Sequence, residues 1–453
     1  MTVRLQNYLL KSVTDMKETV IQFGEGNFLR GFFDYFLDKL NKNGLYDGKA
    51  VIVQPRAGGR VAGLTEQDCK YNLYLRGLVN GEVKCEHSLI ESISRCVDPY
   101  KSFEDYLALA DNPDFRFVIS NTTEAGIEFD PCCHFSDMPC KSFPGKLTQL
   151  LYRRYKNGLN GFVFLPCELI DNNGDELKKC VLKYAEHWEL EEEFTAWIIN
   201  NNTFANTLVD RIVTGYPNDE TAEKHTEDKY LDTAEIFHLW VIESNFENEL
   251  PLQKAGFNVI WAEDVKPYKK IKVRILNGAH TSLVAGALLS GVETVGEAMA
   301  DETCFAFLES IMNNEILPTI GETQESRAFA ASVFDRFKNP FIQHKWRSIA
   351  LNSVSKFSVR VLPTILEYKE KFGVYPKGLT LALSYLIYFY KNDFPEDNER
   401  AVETMKNESV EDILKNTALW QADISDLTQT LNYYYEKIEA LGAKEAMKWI
   451  LSE

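Results

Sequence analysis

An α/β domain built on a parallel sheet, followed by an all-α domain, is the architecture this sequence predicts. Three observations carry the prediction. Short runs apolar on both faces alternate with helical stretches in the first half, as strands of a helix-covered parallel sheet do. The first run ends in a glycine turn that opens a helix. After Pro267 the β-rich runs stop, and helical spacing broken by Pro and Gly takes over. The boundaries read as 1–267 for an N-terminal, Rossmann-like dinucleotide-binding domain and 268–453 for the helical domain.

In chain order, "TVIQF" (Thr19–Phe23), "AVIVQ" (Ala50–Gln54), "FRFVIS" (Phe115–Ser120) and "GFVFLP" (Gly161–Pro166) read as continuous apolar strands, and "GFNVIWAED" (Gly256–Asp264) as a last one. "FFDYFLDKLN" continues the glycine turn with helical spacing. "FAFLESIMNNEIL", "RAFAASVFDRF", "LTLALSYLIYFY" and the final "LTQTLNYYYEKIEALGAKEAMKWIL" are the helices of the second half. "LTLALSYLIYFY" is too short to span a bilayer and reads as a core helix.

Across 453 residues the apolar share is 45%, the charged share 26% and the net charge −18. These values suit a globular protein and argue against wholesale binding to nucleic acid or anionic membrane. An anionic ligand must then be held by local Lys and Arg. The start, "MTVRLQNYLLKSVTDMKE", lacks the apolar core of a signal segment, and a cytoplasmic protein is expected. Nine cysteines are scattered from Cys69 to Cys304 with no CxxC pair. The cluster Cys132, Cys133 and Cys140 with His134 has no zinc-type spacing. Reduced thiols and no metal are expected there. Nothing in the sequence specifies an oligomeric state.

Two stretches carry chemistry. "TVIQFGEGNFLRG" has strand, turn and helix in the order a dinucleotide pyrophosphate needs. Gly24 permits the tight turn and Gly26 the close backbone approach. The third glycine of the usual pattern falls at Gly31 instead of position 29, which is Leu29. The acidic residue that usually takes the ribose hydroxyls is replaced by "QPRAGGR", with Gln54, Arg56 and Arg60. This leaves NAD and NADP open, since an arginine here accommodates a 2′-phosphate.

The second stretch, "KVRILNGAHTSL", sets Lys272, Asn277 and His280 in apolar surroundings. Taken as one regular helix at about 100° per residue, it places His280 near 80° and Asn277 near 140° from Lys272. Burying an ammonium is costly, and the usual response is a lowered pKa, which makes a lysine a usable proton donor and acceptor. A carboxamide donates to a developing alkoxide, and a histidine orients. The competing reading is a snorkelling lysine with hydrogen-bonded core Asn and His.

K-x4-N-x2-H on a helix after such a domain resembles the long-chain polyol dehydrogenases, the mannitol dehydrogenase family, over nearly the whole chain. "QFGEGNFLRGF", "ISNTTEAGI" (Ile119–Ile127), "FLPCELIDNNG" (Phe164–Gly174), "FHLWVIE" (Phe237–Glu243) and "LNSVSKFSVRVLPTI" (Leu351–Ile365) sharpen the likeness. They look most like the branch acting on a small sugar acid. The resemblance implies a metal-independent, NAD-dependent interconversion of ketone and secondary alcohol. It implies Lys272 as general acid/base, Asn277 polarising the keto oxygen and His280 binding substrate. It implies coenzyme contacts from Gly24, Glu25, Gly26, Asn27, Phe28, Gln54, Asn121, Thr122 and Thr123. Substrate contacts fall to Asp210, Lys356 and Arg360. Against these stand an Asp210–Arg211 structural ion pair and a solvated basic face at Lys356 and Arg360. One departure stands out: Leu169 occupies the place where polyol-specific members have an oxyanion-hole asparagine. Rival readings are another sugar acid or a polyol as substrate, or a non-catalytic nucleotide-binding module.

Overall fold

The structure is a computed structural model that describes residues 16–453. The stretch read for a signal segment, residues 1–18, lies largely outside the described residues. The chain forms two compact units. One comprises the chain up to Arg76 together with Lys84–Val265. The other comprises Gly77–Val83 and Lys266–Glu453.

The first unit is built on a parallel six-stranded sheet of β1 (Glu18–Phe23), β2 (Lys49–Val53), β5 (Ile93–Val97), β6 (Phe117–Ser120), β7 (Val163–Pro166) and β8 (Thr203–Phe204). Their order is β5-β2-β1-β6-β7-β8, so the strand order reverses between β1 and β6. The four central strands are buried almost end to end because apolar residues face both ways. Val20, Ile52, Phe117 and Leu165 pack on one face with Phe32 and Phe36. Ile21, Val51, Val118 and Phe164 pack on the other with Leu147, Leu151 and Val181. Helices α1 (Asn27–Arg30) and α2 (Phe33–Lys42) follow the glycine turn. Helices α3 (Phe143–Lys156) and α4 (Asn173–His187) cover the second face. Ser142 caps α3 by accepting from the Gly145 N–H, and Pro144 sits in its first turn.

Two smaller sheets were not foreseen. β3 (Tyr71–Val79) pairs with β4 (Glu82–Ile90) on one side and with β10 (Asp232–Ala234) on the other. The Asn80–Gly81 turn joins β3 to β4 with φ of 54° and 79°, the left-handed pair that Asn-Gly hairpins use. Asn80 N–H donates to Asp335 at 3.1 Å, and this tip groups with the helical unit. The strand read at Gly256–Asp264 forms as β12 (Val259–Ala262), but outside the main sheet. It pairs parallel with β11 (Leu239–Glu243), which runs antiparallel to β9 (Thr207–Asp210). The N-terminal half is therefore not purely parallel.

The second unit is helical apart from the hairpin tip. Its centre is a helix interrupted once: α5 (Lys266–Lys272), a π-helical segment Val273–Asn277, and α6 (Gly278–Leu289). Every residue from Gly278 to Ala287 is buried, so α6 is enclosed on all sides. It packs against α7 (Ser353–Arg360), α8 (Lys377–Asn392) and α9 (Ala443–Ser452). Small residues permit the approach. A Cβ on Gly286 would stand 2.6 Å from the Met447 Cε, and one on Gly278 would stand 3.3 Å from the Arg360 carbonyl oxygen. Among the described residues no helix is long and apolar enough to cross a membrane.

Candidate active site

The glycine turn is shaped by sterics. Gly24 has φ +123°, and a Cβ there would meet the Asn121 carbonyl oxygen at 2.9 Å, so only glycine fits. Nothing lies within 4 Å of where a Gly26 Cβ would sit, leaving the turn open for a ligand to approach backbone. The neighbouring side chains hold the turn itself. Glu25 accepts from Arg60 N–H at 3.0 Å. Asn27 accepts from the Arg30 guanidinium at 2.6 Å, and Phe28 stacks on Phe32 at 4.9 Å. Gln54 is buried, and its N–H donates to the Val97 carbonyl at 3.0 Å.

After β6 the chain reaches Asn121, whose amide donates to the Cys167 carbonyl at 2.7 Å. Thr122 donates through its N–H and its hydroxyl to Glu168 at 2.9 and 3.0 Å. Burial pushes the Glu168 carboxyl up, and the hydrogen bonds from Thr122 and Ser120 oppose that. Thr123 has φ +85°. A β-branched residue in this region is strained, and such strain persists where surrounding structure enforces it, often at ligand sites. A cavity of about 470 Å³ lies here, lined among others by Arg56, Thr122, Thr123, Phe129, Lys141 and Phe143. It opens at the carboxyl ends of β2 and β6, beside the reversal of strand order where open α/β sheets bind ligands. Gly24 and Gly26 are not part of its wall.

In the second unit the π segment corrects the regular helix assumed for Lys272, Asn277 and His280. One extra residue per turn rotates all that follows by about 100°. His280 therefore moves from about 80° to within about 20° of Lys272, on one line along the helix. Lys272 and Asn277 are half-buried and His280 is buried. The segment is anchored from its other side: Lys270 and Arg274 both pair with Glu367, at 2.9 and 2.8 Å. Among the described residues the Asn277 amide has no hydrogen-bond partner. His280 stacks on Phe337 at 4.1 Å, with His344 edge-on at 5.3 Å, and its Nε2 has no partner among the described residues. Burial first, then His344, Arg336 and Arg360, holds its pKa well below 6.5, so it is neutral at pH 7.

Lys356 and Arg360 lie one turn apart on α7, both half-buried. The Lys356 ammonium donates to the Ile349 carbonyl at 3.0 Å. Burial and the neighbouring Arg360 lower its pKa. Burial lowers that of Arg360 as well, and among the described residues Arg360 has no ion pair.

Asp210 is in the other unit, buried at the end of β9. Its neighbour Arg211 donates to the Glu235 and Gly31 carbonyls, each at 2.9 Å. Leu169 is 62% exposed, so its side chain offers no donor. Sequence reasoning missed Glu168, Arg336 and His344. His344 lies beyond the Asn339-Pro340 break, where no periodicity announces which way a side chain faces, and Arg336 sits in the last turn of the helix Gln324–Phe337, whose spacing does not tell which site it neighbours.

A glycine-turn parallel-sheet unit followed by a helical unit defines a class of protein, and comparison with known proteins gives the same one. Residues 18–254 match the mannitol dehydrogenase Rossmann domain and residues 264–441 the mannitol dehydrogenase C-terminal domain. The chain belongs to the mannitol dehydrogenase family. Among its relatives is an altronate oxidoreductase of Yersinia enterocolitica, 44% identical, with 94% of each chain covered. Another is an altronate oxidoreductase of Bacillus subtilis, 41% identical, with 98% of each covered. The fold is that of D-sorbitol dehydrogenase in substrate-free form (TM-score 0.85, 23% identity, 96% of each chain). It is also that of Pseudomonas fluorescens mannitol 2-dehydrogenase in ternary complex with NAD and D-mannitol (TM-score 0.74, 22% identity, 98% of this chain and 96% of that one).

Proposed function

We propose that the protein interconverts D-altronate and D-tagaturonate with NAD as coenzyme, in the cytoplasm. The carrying observation is Arg360. It is a half-buried guanidinium without an ion pair among the described residues, beside Lys356 and a neutral His280 in a chain of net charge −18. Two cations held this way await an anion, and the carboxylate of a keto-uronic acid supplies one where a polyol does not. The altronate oxidoreductases among the relatives support the same substrate.

NAD, when bound, supplies or takes the hydride. The Gly24 turn and the Gly26 backbone would hold its pyrophosphate, and Thr122 and Thr123 line the neighbouring cavity. Asn277 donates to the keto oxygen, and Lys272 delivers the proton that makes it a hydroxyl, with no metal in the step. Asp210 contacts substrate hydroxyls.

NAD is preferred over NADP although Arg56 stands in the cavity wall. The kcat/KM for NADH exceeds that for NADPH, and a clear preference for NADPH would show Arg56 to be a 2′-phosphate ligand. Arg360→Ala removes a charge-assisted hydrogen bond worth roughly 1.5–3 kcal/mol. It lowers kcat/KM for tagaturonate by about one to two orders of magnitude, while NADH binding, followed by fluorescence titration, is unchanged. Equal activity of variant and wild type removes Arg360 from the site. The rival substrates are fructuronate and fructose, the second favoured by the likeness to a mannitol dehydrogenase fold. A non-catalytic nucleotide-binding module predicts no turnover with any of them.

A further inference from the structure

We propose that Cys133, Asp137 and Cys140 bind a zinc-class divalent cation that fixes the loop between Glu128 and Lys141. No CxxC spacing marks the site, and its third ligand, Asp137, was invisible in the sequence. The fold brings one ligating atom from each residue within 4.8 Å of the others. Two sulfurs 2.3 Å from a tetrahedral ion stand about 3.8 Å apart, so closure needs side-chain rotation only. Cys133 and Cys140 are 2% and 0% exposed, and both are free thiols. Two thiolates and a carboxylate select a borderline-soft ion such as zinc over magnesium or calcium. The exposed Cys132 and His134, on either side of Cys133, or a water complete the coordination.

The surroundings are built as an outer shell that orients the ligands. The loop has no helix or strand between Phe129 and Lys141, yet α3 and α4 hold its backbone. The Trp188 indole donates to the Cys133 carbonyl at 2.9 Å. The Gln149 amide donates to the Phe135 and Asp137 carbonyls at 2.9 and 2.7 Å. The Tyr184 hydroxyl accepts from Asp130 N–H at 2.8 Å.

The second observation is charge. Lys146 is completely buried, and its ammonium donates to three neutral oxygens: the Cys140 and Lys141 carbonyls and the Tyr100 hydroxyl, at 2.7, 2.8 and 3.1 Å. Among the described residues no carboxylate pairs with it. A buried cation left so is costly. A divalent ion on two thiolates and one carboxylate carries a net charge of −1, the missing counter-charge. Glu128, Phe129, Asp130, Pro131 and Lys141 line the 470 Å³ cavity, so the ion would brace one wall of it.

The test loads reduced full-length protein with zinc, removes the excess and counts metal by plasma mass spectrometry. Wild type retains about one zinc per chain, the stoichiometry of a single structural site. Cobalt in its place shows sulfur-to-metal charge-transfer absorption. Cys133→Ser with Cys140→Ser retains none. Asp137→Asn, at a half-buried position that spares the core thiols, holds the ion more weakly against a chelator while its circular dichroism matches wild type. The proposal is overturned if reduced wild type retains no metal, if the double-serine variant retains as much as wild type, or if peptide mapping of non-reduced protein finds Cys133 disulfide-bonded to Cys140.

Discussion

Replacing Lys272 with alanine lowers kcat by about 10²–10⁴-fold in both directions, the span a positioned general acid/base contributes, while NADH binding survives. Reduction of a ketone needs hydride on carbon and a proton on oxygen, and two groups in the trio compete for the proton. His280 fails on electrostatics: burial, then His344, Arg336 and Arg360, keep it neutral well below pH 6.5. Lys272 sits at the end of α5, half-buried, where the π segment brings it into line with His280. The assignment is wrong if Lys272→Ala keeps near-normal turnover while His280→Ala abolishes it with the fold intact.

Asn277→Ala lowers kcat by about 10²–10³-fold, the usual cost of removing an oxyanion donor. Two observations make this donor matter. Its amide has no hydrogen-bond partner among the described residues. The position where polyol enzymes supply a second donor holds Leu169, whose side chain is 62% exposed and apolar. Asn277→Asp separates the roles. It keeps the volume, replaces a donor by an acceptor and loses at least as much as alanine. Steady-state and single-turnover rates with tagaturonate check both variants, and full activity of Asn277→Ala would return the residue to a structural role.

The sequence made the parallel strands legible because each is apolar on both faces, and the helical half legible because its β-branched runs stop at Pro267. The Asn80–Gly81 hairpin was equally visible in its turn residues and was passed over. The placement of Val259–Ala262 was not visible: an apolar run does not say which strand it pairs with. Lys272, Asn277 and His280 stood out as polar groups in an apolar helix, but their angles did not. A π segment depends on packing against α7 and Glu367 rather than on local composition. Arg336 reaches His280 from the helix Gln324–Phe337 and His344 from the irregular stretch beyond it, and spacing along either segment does not say what it packs against. Asp137 joins Cys133 and Cys140 only through the fold of a loop held by Trp188 and Gln149.

The most direct measurement compares NADH oxidation by the purified protein with tagaturonate, fructuronate and fructose side by side. The expected kcat/KM is highest for tagaturonate, lower for fructuronate and lowest for fructose, which lacks the carboxylate proposed to pair with Arg360 and Lys356. A preference for fructose, or no oxidation of NADH with any of the three, would contradict it.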